Sequence, residues 1–234
     1  KLSPRQYGPV EGLQLPGVIN STQLLNIDHL PKRLCIIGAG VIGMEFASVF
    51  SSFGTQVTVV EFLKDSLGRI FHTGLLQFES FGVGLSACGY EHEVGICLQR
   101  LVQGLHVVNK ILGKADNIKF DIMPSAIFTN PEAASVGPTE DQLKAEGRQY
   151  ECRKGFYRSN GKALAMNETD GMLKLLVDTA DNNRIVGCHA FGAHASDIVQ
   201  EVSTLVNLGT TTQQLADIIH IHPTLSEILH DIVC

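Results

Sequence analysis

The 234-residue chain lacks several features that mark whole classes of protein. It has no apolar run of 18 residues, so no membrane-spanning helix is predicted. Its first residues, KLSPRQYGPVEG, contain neither an apolar core nor a cleavage site, so we expect no secretory signal peptide. Lys and Arg number only 18 against 24 Asp and Glu, and the formal net charge of −6 argues against a nucleic-acid partner.

The cysteines also lack the spacings of common metal and redox sites. The six are Cys35, Cys88, Cys97, Cys152, Cys188 and Cys234. No two of them form a CxxC pair, which argues against the common zinc sites and against the CxxC redox motif. With no export signal, we expect reduced thiols and a cytoplasmic location. Cys35 and Cys188 lie inside apolar runs and are predicted to be small core residues.

What the chain does contain predicts a globular protein, with 44% hydrophobic and 18% charged residues. Its clearest stretch, residues 33–62, predicts a β-α-β unit. An apolar run at 34–37 is typical of a strand buried on both faces. Helical spacing follows over 41–53 until Gly54 ends the helix, and a second strand is predicted at 56–60.

A glycine motif, Gly38-x-Gly40-x-x-Gly43, lies between that first strand and its helix. In this context Gly38 permits a tight turn, Gly40 lets a pyrophosphate approach the backbone, and Gly43 lets the helix pack closely on the strand. Glu61, at the end of the second strand, would accept hydrogen bonds from a ribose diol and repel a 2′-phosphate. The stretch therefore predicts a Rossmann-type unit that binds NAD in preference to NADP.

The second half of the chain predicts a different architecture. Residues 66–104 hold neither period for long, but the pattern becomes regular from Lys110. Three strands are predicted at 150–158, 170–178 and 184–192, with helices at 138–147 and 194–209. Strands followed by terminal helices favour an α+β domain. The fold class is therefore α/β plus α+β, with an incomplete nucleotide unit over 33–104 and a second domain over 105–234.

Near the C-terminus the chain reads HIHPTLSEIL, and two interpretations compete. Pro223 suits the first position of a helix, and a helix over 223–232 would bury one apolar face, formed by Leu225, Ile228, Leu229 and Ile232. On that interpretation His222 merely precedes the helix. The alternative makes His222 a general base that Glu227 orients. A metal site at His220 and His222 lacks a third ligand at a convincing spacing, so none is predicted.

Four segments together resemble one family: CIIGAGVIGMEFASVF, SAIFTNPEAASVG, GKALAMNETDGMLKLL and HIHPTLSEIL. They are similar to the dihydrolipoamide dehydrogenases, within the flavin-dependent pyridine nucleotide–disulphide oxidoreductases. The resemblance implies NAD and FAD as cofactors, a homodimer, and lipoyl domains of 2-oxoacid dehydrogenase complexes as partners. It implies that His222 is a general acid/base held by Glu227, serving a redox disulphide of the other subunit. It also implies a position for Glu45 near the flavin–nicotinamide junction.

The chain departs from the family pattern in ways that limit this expectation. Members begin with an FAD domain that carries a Cys-x4-Cys redox pair, whereas no two cysteines here have that spacing. Residues 1–32 would then be a lead-in from a missing FAD domain, and the absence of an initiator Met agrees with a trimmed or fragmentary chain. Only residues 62–103 lie between Glu61 and Gly104. A second βαβαβ half would need more, roughly 60 residues at about 30 per βαβ.

These departures leave three interpretations open. The first is a dihydrolipoamide dehydrogenase-type polypeptide, incomplete here and inactive alone because its FAD site is largely missing. The second is a non-catalytic remnant, which dimerises and binds NAD as an assembly module. The third is a self-sufficient NAD-linked dehydrogenase of another kind. A deletion, a frame shift or a misassigned stretch would each explain residues 66–104.

Overall fold

Two β-sheets organise the residues that the computed structural model describes, which are 15–60, 84–86 and 97–234. The strands are β1 (Arg33–Ile37), β2 (Gln56–Val60), β3 (Gly84–Ser86), β4 (Ser125–Ile127), β5 (Glu132–Val136), β6 (Tyr150–Phe156), β7 (Met172–Asp178) and β8 (Arg184–Gly192). The helices are α1 (Ser21–Leu24), α2 (Val41–Ser52), α3 (Cys97–Ile111), α4 (Glu140–Ala145), α5 (Gly161–Met166), α6 (Ala195–Leu208), α7 (Thr212–Ala216) and α8 (Glu227–Asp231).

The first sheet is parallel, in the order β1-β2-β3, and α2 connects β1 to β2. The strand–helix–strand order predicted for this stretch is therefore present. One face of the sheet packs on α2, through the buried side chains Val41, Met44, Ala47 and Phe50. Helix Val41–Ser52 ends where Gly54 takes a left-handed conformation, with φ of +83°.

The prediction that β1 is buried on both faces is wrong. Leu34 and Ile36 pack against the cluster under α2, whereas Cys35 and Ile37 are exposed. An apolar run in a parallel strand is buried on both sides only where helices cover both faces of its sheet. Cys35 is consequently not a core residue, whereas Cys188 on β8 is fully buried as predicted.

The second sheet is antiparallel, in the order β4-β5-β8-β7-β6. Helices α6 and α8 pack against it and share its main core cluster, which includes Leu173, Leu175, Ile198, Val202 and Leu229. The three strands and the helix predicted between residues 150 and 209 are all present. Left-handed residues, His194 and Gly209, bound α6 at its two ends.

Helix α3 was not predicted, because residues 66–104 were expected to be irregular. It runs from Cys97 to Ile111 and therefore crosses the division placed at 104/105. Gly104 in its interior weakens the sequence signal, since glycine costs a helix about 1 kcal/mol relative to alanine. The rest of the stretch, at 66–83 and 87–96, lies outside the described residues.

The two sheets meet through α2. Ile127 of β4 and Ala133 of β5 belong to the same core cluster as Met44 and Phe50 of α2. The first unit is thereby packed on the edge of the second sheet. Throughout the described part of the chain, every helix is too short or too polar to cross a lipid bilayer.

Candidate functional site

The glycine turn after β1 has a distinct geometry at each of its three glycines. Gly38 has a φ of +103°, which side chains rarely adopt, and donates its N–H to Val60 O at 2.8 Å. Gly40 is the N-cap of α2, and a Cβ atom there would meet open space. A Cβ atom on Gly43 would lie 2.1 Å from Gly38 O, so only glycine allows this approach of helix and turn.

This turn places Gly40 at the N-terminus of α2, next to the first N–H groups of the helix. The N-terminal N–H groups of a helix have no partner within the helix, and the helix dipole makes the site attractive to anions. The arrangement fits a dinucleotide phosphate. Glu61, the residue predicted to select NAD, lies outside the described residues.

Glu45, on the second turn of α2, contacts the second sheet. Its Oε1 accepts the backbone N–H of Phe128 at 3.2 Å, and Ser48 Oγ accepts the N–H of Asn130 at 3.1 Å. These two side chains hold the loop between β4 and β5 against α2. The carboxylate of Glu45 therefore has a structural partner within this chain.

His222 and Glu227 form the hydrogen bond that the sequence predicted. His222 Nδ1 lies 2.8 Å from Glu227 Oε1, while Oε2 accepts the backbone N–H of Thr224 at 2.8 Å. Glu227 is the first residue of α8, and Ile228 and Leu229 after it are buried in the main core cluster. The carboxylate is thus held by a packed helix, while the side chain of His222 is 80% exposed.

The helix itself begins later than predicted. It spans Glu227–Asp231 instead of 223–232, and the His222–Pro223 peptide before it is cis. The apolar face was nevertheless identified correctly, because Leu225 packs against the same core cluster from a turn outside the helix. The apolar spacing could not distinguish a turn from a first helical turn, since both bring Leu225 to that face.

The charge on Glu227 determines which ring nitrogen of His222 carries the proton. The Thr224 N–H, and then the hydrogen bond from His222, hold the pKa of Glu227 below its ordinary value of 4.5. An ionised carboxylate only accepts hydrogen bonds, so Nδ1–H of His222 must be the donor. In the neutral imidazole the lone pair then lies on Nε2, on a ring that is largely exposed. Such a nitrogen is available as a proton acceptor.

A second histidine beside this pair has a partner that sequence reasoning missed. His220 Nε2 lies 3.1 Å from Oε1 of Glu201, on α6. The side chain of His220 is only 7% exposed. The spacing His220-x-His222 by itself suggests a metal site, not a partner for His220. The usable signal was Glu201, an acidic residue of the predicted helix 194–209.

Among the described residues, no group of three or more His, Cys, Asp or Glu side chains could hold a metal ion. Cys35, Cys152, Cys188 and Cys234 are free thiols. Burial raises the pKa of the Cys152 and Cys188 thiols, which lowers the fraction of reactive thiolate on each. Cys234 Sγ lies 3.4 Å from His230 Nε2.

Two known sequence families match the chain. The pyridine nucleotide-disulphide oxidoreductase dimerisation domain matches residues 123–233. A second model, described as pyridine nucleotide-disulphide oxidoreductase, matches residues 3–80. The first match covers the second sheet, α6 and the His222–Glu227 pair, and the second covers the glycine turn.

Individual relatives extend the comparison over most of the chain. Dihydrolipoyl dehydrogenase 1, mitochondrial, of Arabidopsis thaliana is 26% identical over 92% of this chain and 58% of its own length. Dihydrolipoyl dehydrogenase of Mycoplasma pneumoniae is 30% identical over 96% of this chain and 66% of its own length. The chain thus spans less than two thirds of either relative.

A solved structure has the same fold. The HOCl-induced flavoprotein disulfide reductase RclA from Escherichia coli aligns with a TM-score of 0.85 over 98% of this chain and 71% of its own, at 22% identity.

The sequence alignment with the Arabidopsis protein runs over 296 residues, yet 92% of 234 residues is only about 215. About 80 aligned positions of that relative therefore have no counterpart in this chain.

Proposed function

The chain belongs to the pyridine nucleotide–disulphide oxidoreductase family, and from this premise we propose that it serves dihydrolipoamide oxidation coupled to NAD. In this proposal, residues 33–60 and Glu61 are part of a Rossmann-type NAD-binding unit. The antiparallel sheet with α6 and α8 is the dimerising unit that presents the acid/base. The relatives named dihydrolipoyl dehydrogenase support this choice of substrate.

The observation that carries the proposal is the hydrogen bond between His222 and Glu227. Because Nδ1–H of His222 donates to the Glu227 carboxylate, Nε2 of His222 is free to accept a proton from a thiol, leaving the more nucleophilic thiolate. The carboxylate also stabilises the imidazolium that results. Positioned acid/base help of this kind contributes about 10²–10⁴-fold to a rate. His222 and Glu227 are therefore proposed as the catalytic pair.

NAD and FAD are the cofactors expected of the family. We propose that Gly38, Gly40 and Gly43 hold the pyrophosphate of NAD against the N-terminus of α2, with Glu61 selecting the 2′-hydroxyl form. Glu45 is proposed, from the resemblance, to lie near the flavin–nicotinamide junction. When bound, the nicotinamide supplies a hydride acceptor and the flavin an electron carrier. We assign no residue of this chain to FAD.

A homodimer is the proposed assembly, and lipoyl domains of 2-oxoacid dehydrogenase complexes are the proposed partners. Beside His222, the side chains of Ile219 and Ile221 are 96% and 79% exposed. Adjacent exposed apolar side chains favour a contact surface. A two-fold axis beside this loop would bring His222 of each subunit to its partner through one self-complementary surface.

The test is an assay of NADH-dependent lipoamide reduction by the natural polypeptide that carries these residues. We expect His222→Gln to lower kcat by about 10²–10⁴-fold. Asp231→Asn, four residues beyond Glu227 on an exposed position of α8, is the matched control and should keep the wild-type rate. Equal rates for wild type and His222→Gln would refute the catalytic assignment.

The gaps in the alignment with the Arabidopsis protein favour a second candidate function. About 80 missing positions agree with a nucleotide unit that is incomplete, as in a remnant that dimerises and binds NAD without turnover. The 234 residues also contain no Cys-x4-Cys pair. Purified protein of this composition is therefore expected to show no dihydrolipoamide-dependent NAD reduction by itself. An intact mass near 25.4 kDa for the natural protein would favour the remnant, and a larger mass would favour the enzyme.

A further inference from the structure

Two histidines in one loop have opposite environments. The loop between α7 and α8 carries His220 and His222, and their side chains are 7% and 80% exposed. His222 points its Nδ1 at Glu227 of α8, whereas His220 points its Nε2 at Glu201 of α6. One histidine ring of the loop thus contacts each of these two helices.

Both ring nitrogens of His220 face acceptors. Nε2 lies 3.1 Å from a carboxylate oxygen of Glu201, and Nδ1 lies 3.2 Å from the carbonyl oxygen of Ile218. A neutral imidazole has only one N–H, so it can satisfy only one of these two acceptors. Whichever nitrogen carries the proton, the ring lies between the carboxylate of Glu201 on α6 and the backbone of its own loop.

The groups facing His220 come from three elements. Glu201 is on α6, His222 is in the same loop, and Glu227 and His230 are on α8, with the His230 ring 6.2 Å from that of His220. His220 is also among the groups that hold the pKa of Glu227 below its ordinary value, after the Thr224 and His222 hydrogen bonds. His220 therefore acts on the carboxylate that orients His222.

We propose that His220 is a positioning residue: clamped by Glu201, it holds the loop and the charge of Glu227 so that His222 keeps its proton on Nδ1. This rests on the proposed function of His222 as the base. Without the clamp, the loop would lose its contact with α6 and keep those of His222 and Thr224 with Glu227 and of Thr224 O with the Asn160 side chain. His222 would then lose its fixed tautomer, and Nε2 would no longer present its lone pair.

The test measures the tautomer of His222 directly, in protein labelled with ¹⁵N-histidine. Two-bond ¹H–¹⁵N correlation spectra should show Nδ1–H as the majority form of neutral His222 in the wild type. In folded His220→Gln and in folded Glu201→Gln, Nε2–H should become the majority form. The double variant should shift the tautomer no further than His220→Gln, because both residues act through one contact.

His106→Gln is the matched control. It removes the imidazole of His106 on α3, whose Nδ1 lies 2.9 Å from Oδ1 of Asp116 in another histidine–carboxylate pair. Its His222 spectrum should equal that of the wild type. Glu201 is 34% exposed, so Glu201→Gln keeps the test valid if His220→Gln does not fold.

Two outcomes would overturn the proposal: Nδ1–H remaining the majority form in folded His220→Gln and Glu201→Gln, or Nε2–H already dominating in the wild type. The readout needs no substrate. Failure of the lipoamide assay with wild-type protein would therefore reject the proposed function while the tautomer measurement still decides the role of His220.

Discussion

Glu45 and Phe128 are joined across 83 positions of the chain by a hydrogen bond of 3.2 Å, from the backbone N–H of Phe128 to the carboxylate. This contact ties the helix of the glycine turn to the second sheet. It gives Glu45 a structural role beside the cofactor role proposed from the resemblance. The two roles can be separated, because the hydrogen bond needs only an acceptor atom whereas a role at the cofactor junction needs the charge.

We predict that Glu45→Ala lowers the free energy of unfolding by about 0.5–1.5 kcal/mol, because the Phe128 N–H loses its acceptor. Glu45→Gln keeps a carbonyl oxygen and should remain within about 0.5 kcal/mol of the wild type. Urea unfolding of the three proteins measures this. Equal destabilisation by Ala and Gln would mean that the charge, and not the acceptor, supports the fold.

Gly43 and Gly40 should respond to substitution in opposite ways. Gly43→Ala forces a Cβ atom against Gly38 O and should destabilise the protein by about 1–3 kcal/mol. Gly40→Asp places a favoured N-cap residue in open space, so stability should be kept or raised. Its carboxylate, however, would repel a phosphate at the N-terminus of α2.

NADH titration completes that comparison. Gly40→Asp should weaken NADH binding at least about tenfold, which corresponds to about 1.4 kcal/mol. Because its fold is intact, the loss would report on the site itself. Unchanged NADH affinity in Gly40→Asp would show that the phosphate binds elsewhere.

Ile219→Glu should convert the proposed dimer to a monomer at micromolar concentration, since it buries a charge in an apolar contact. The side chain of Ile219 is 96% exposed in the single subunit, so the substitution should leave the melting temperature of the monomer unchanged. Leu208→Glu, at a 76% exposed apolar position of α6, is the control and should leave the dimer intact. Light scattering distinguishes the states. A dimer that survives Ile219→Glu, or a wild-type monomer, would contradict the assignment of this surface.

Asp178 should make the stability of the protein sensitive to acid. Its hydrogen bond from Arg148, at 2.6 Å, and the N–H groups of Ala180 and Asp181 hold its pKa below the ordinary value of 3.8. A lowered pKa in the folded state stabilises the fold above the unfolded value, and this contribution disappears as the pH falls through the folded value. Asp178→Asn should therefore cost about 1–2 kcal/mol at pH 7 and progressively less below pH 4.

Unfolding curves between pH 7 and pH 2.5 test this prediction. The wild type and Asp178→Asn should converge in stability at the acid end. Asp231→Asn, at an exposed position, should parallel the wild type throughout. A constant difference between wild type and Asp178→Asn across this range would rule out the ionised carboxylate as the source.

The parts of the fold that sequence predicted are those in which periodicity and glycine placement agree. The alternation at 150–158 and the helical spacing at 194–209, closed by Gly209, predicted β6 and α6 correctly. The same holds for β1, α2 and β2, where glycines separate the helix from each of the two strands. In these stretches local propensity and tertiary packing favour the same structure.

The failures occur where a tertiary neighbour decides. The apolar run of β1 could not reveal that Cys35 and Ile37 on its second face are exposed, because hydrophobicity reports only the tendency to be buried. The start of α8 depends on Glu227 accepting the Thr224 N–H, which residue spacing does not encode. The partnership of His220 with Glu201 spans 19 positions and exists only after α6 has packed on the sheet.

Because Cys35 is exposed, the accessibility of one face of the first sheet can be monitored through the reaction of its thiol. A thiol on an open strand reacts readily with alkylating reagents, whereas Cys188 in the core is shielded from them. The ratio of alkylation at Cys35 to that at Cys188 would therefore measure how accessible this face of the sheet is. A lower ratio in extracts than in purified protein would show that another polypeptide covers this face under native conditions.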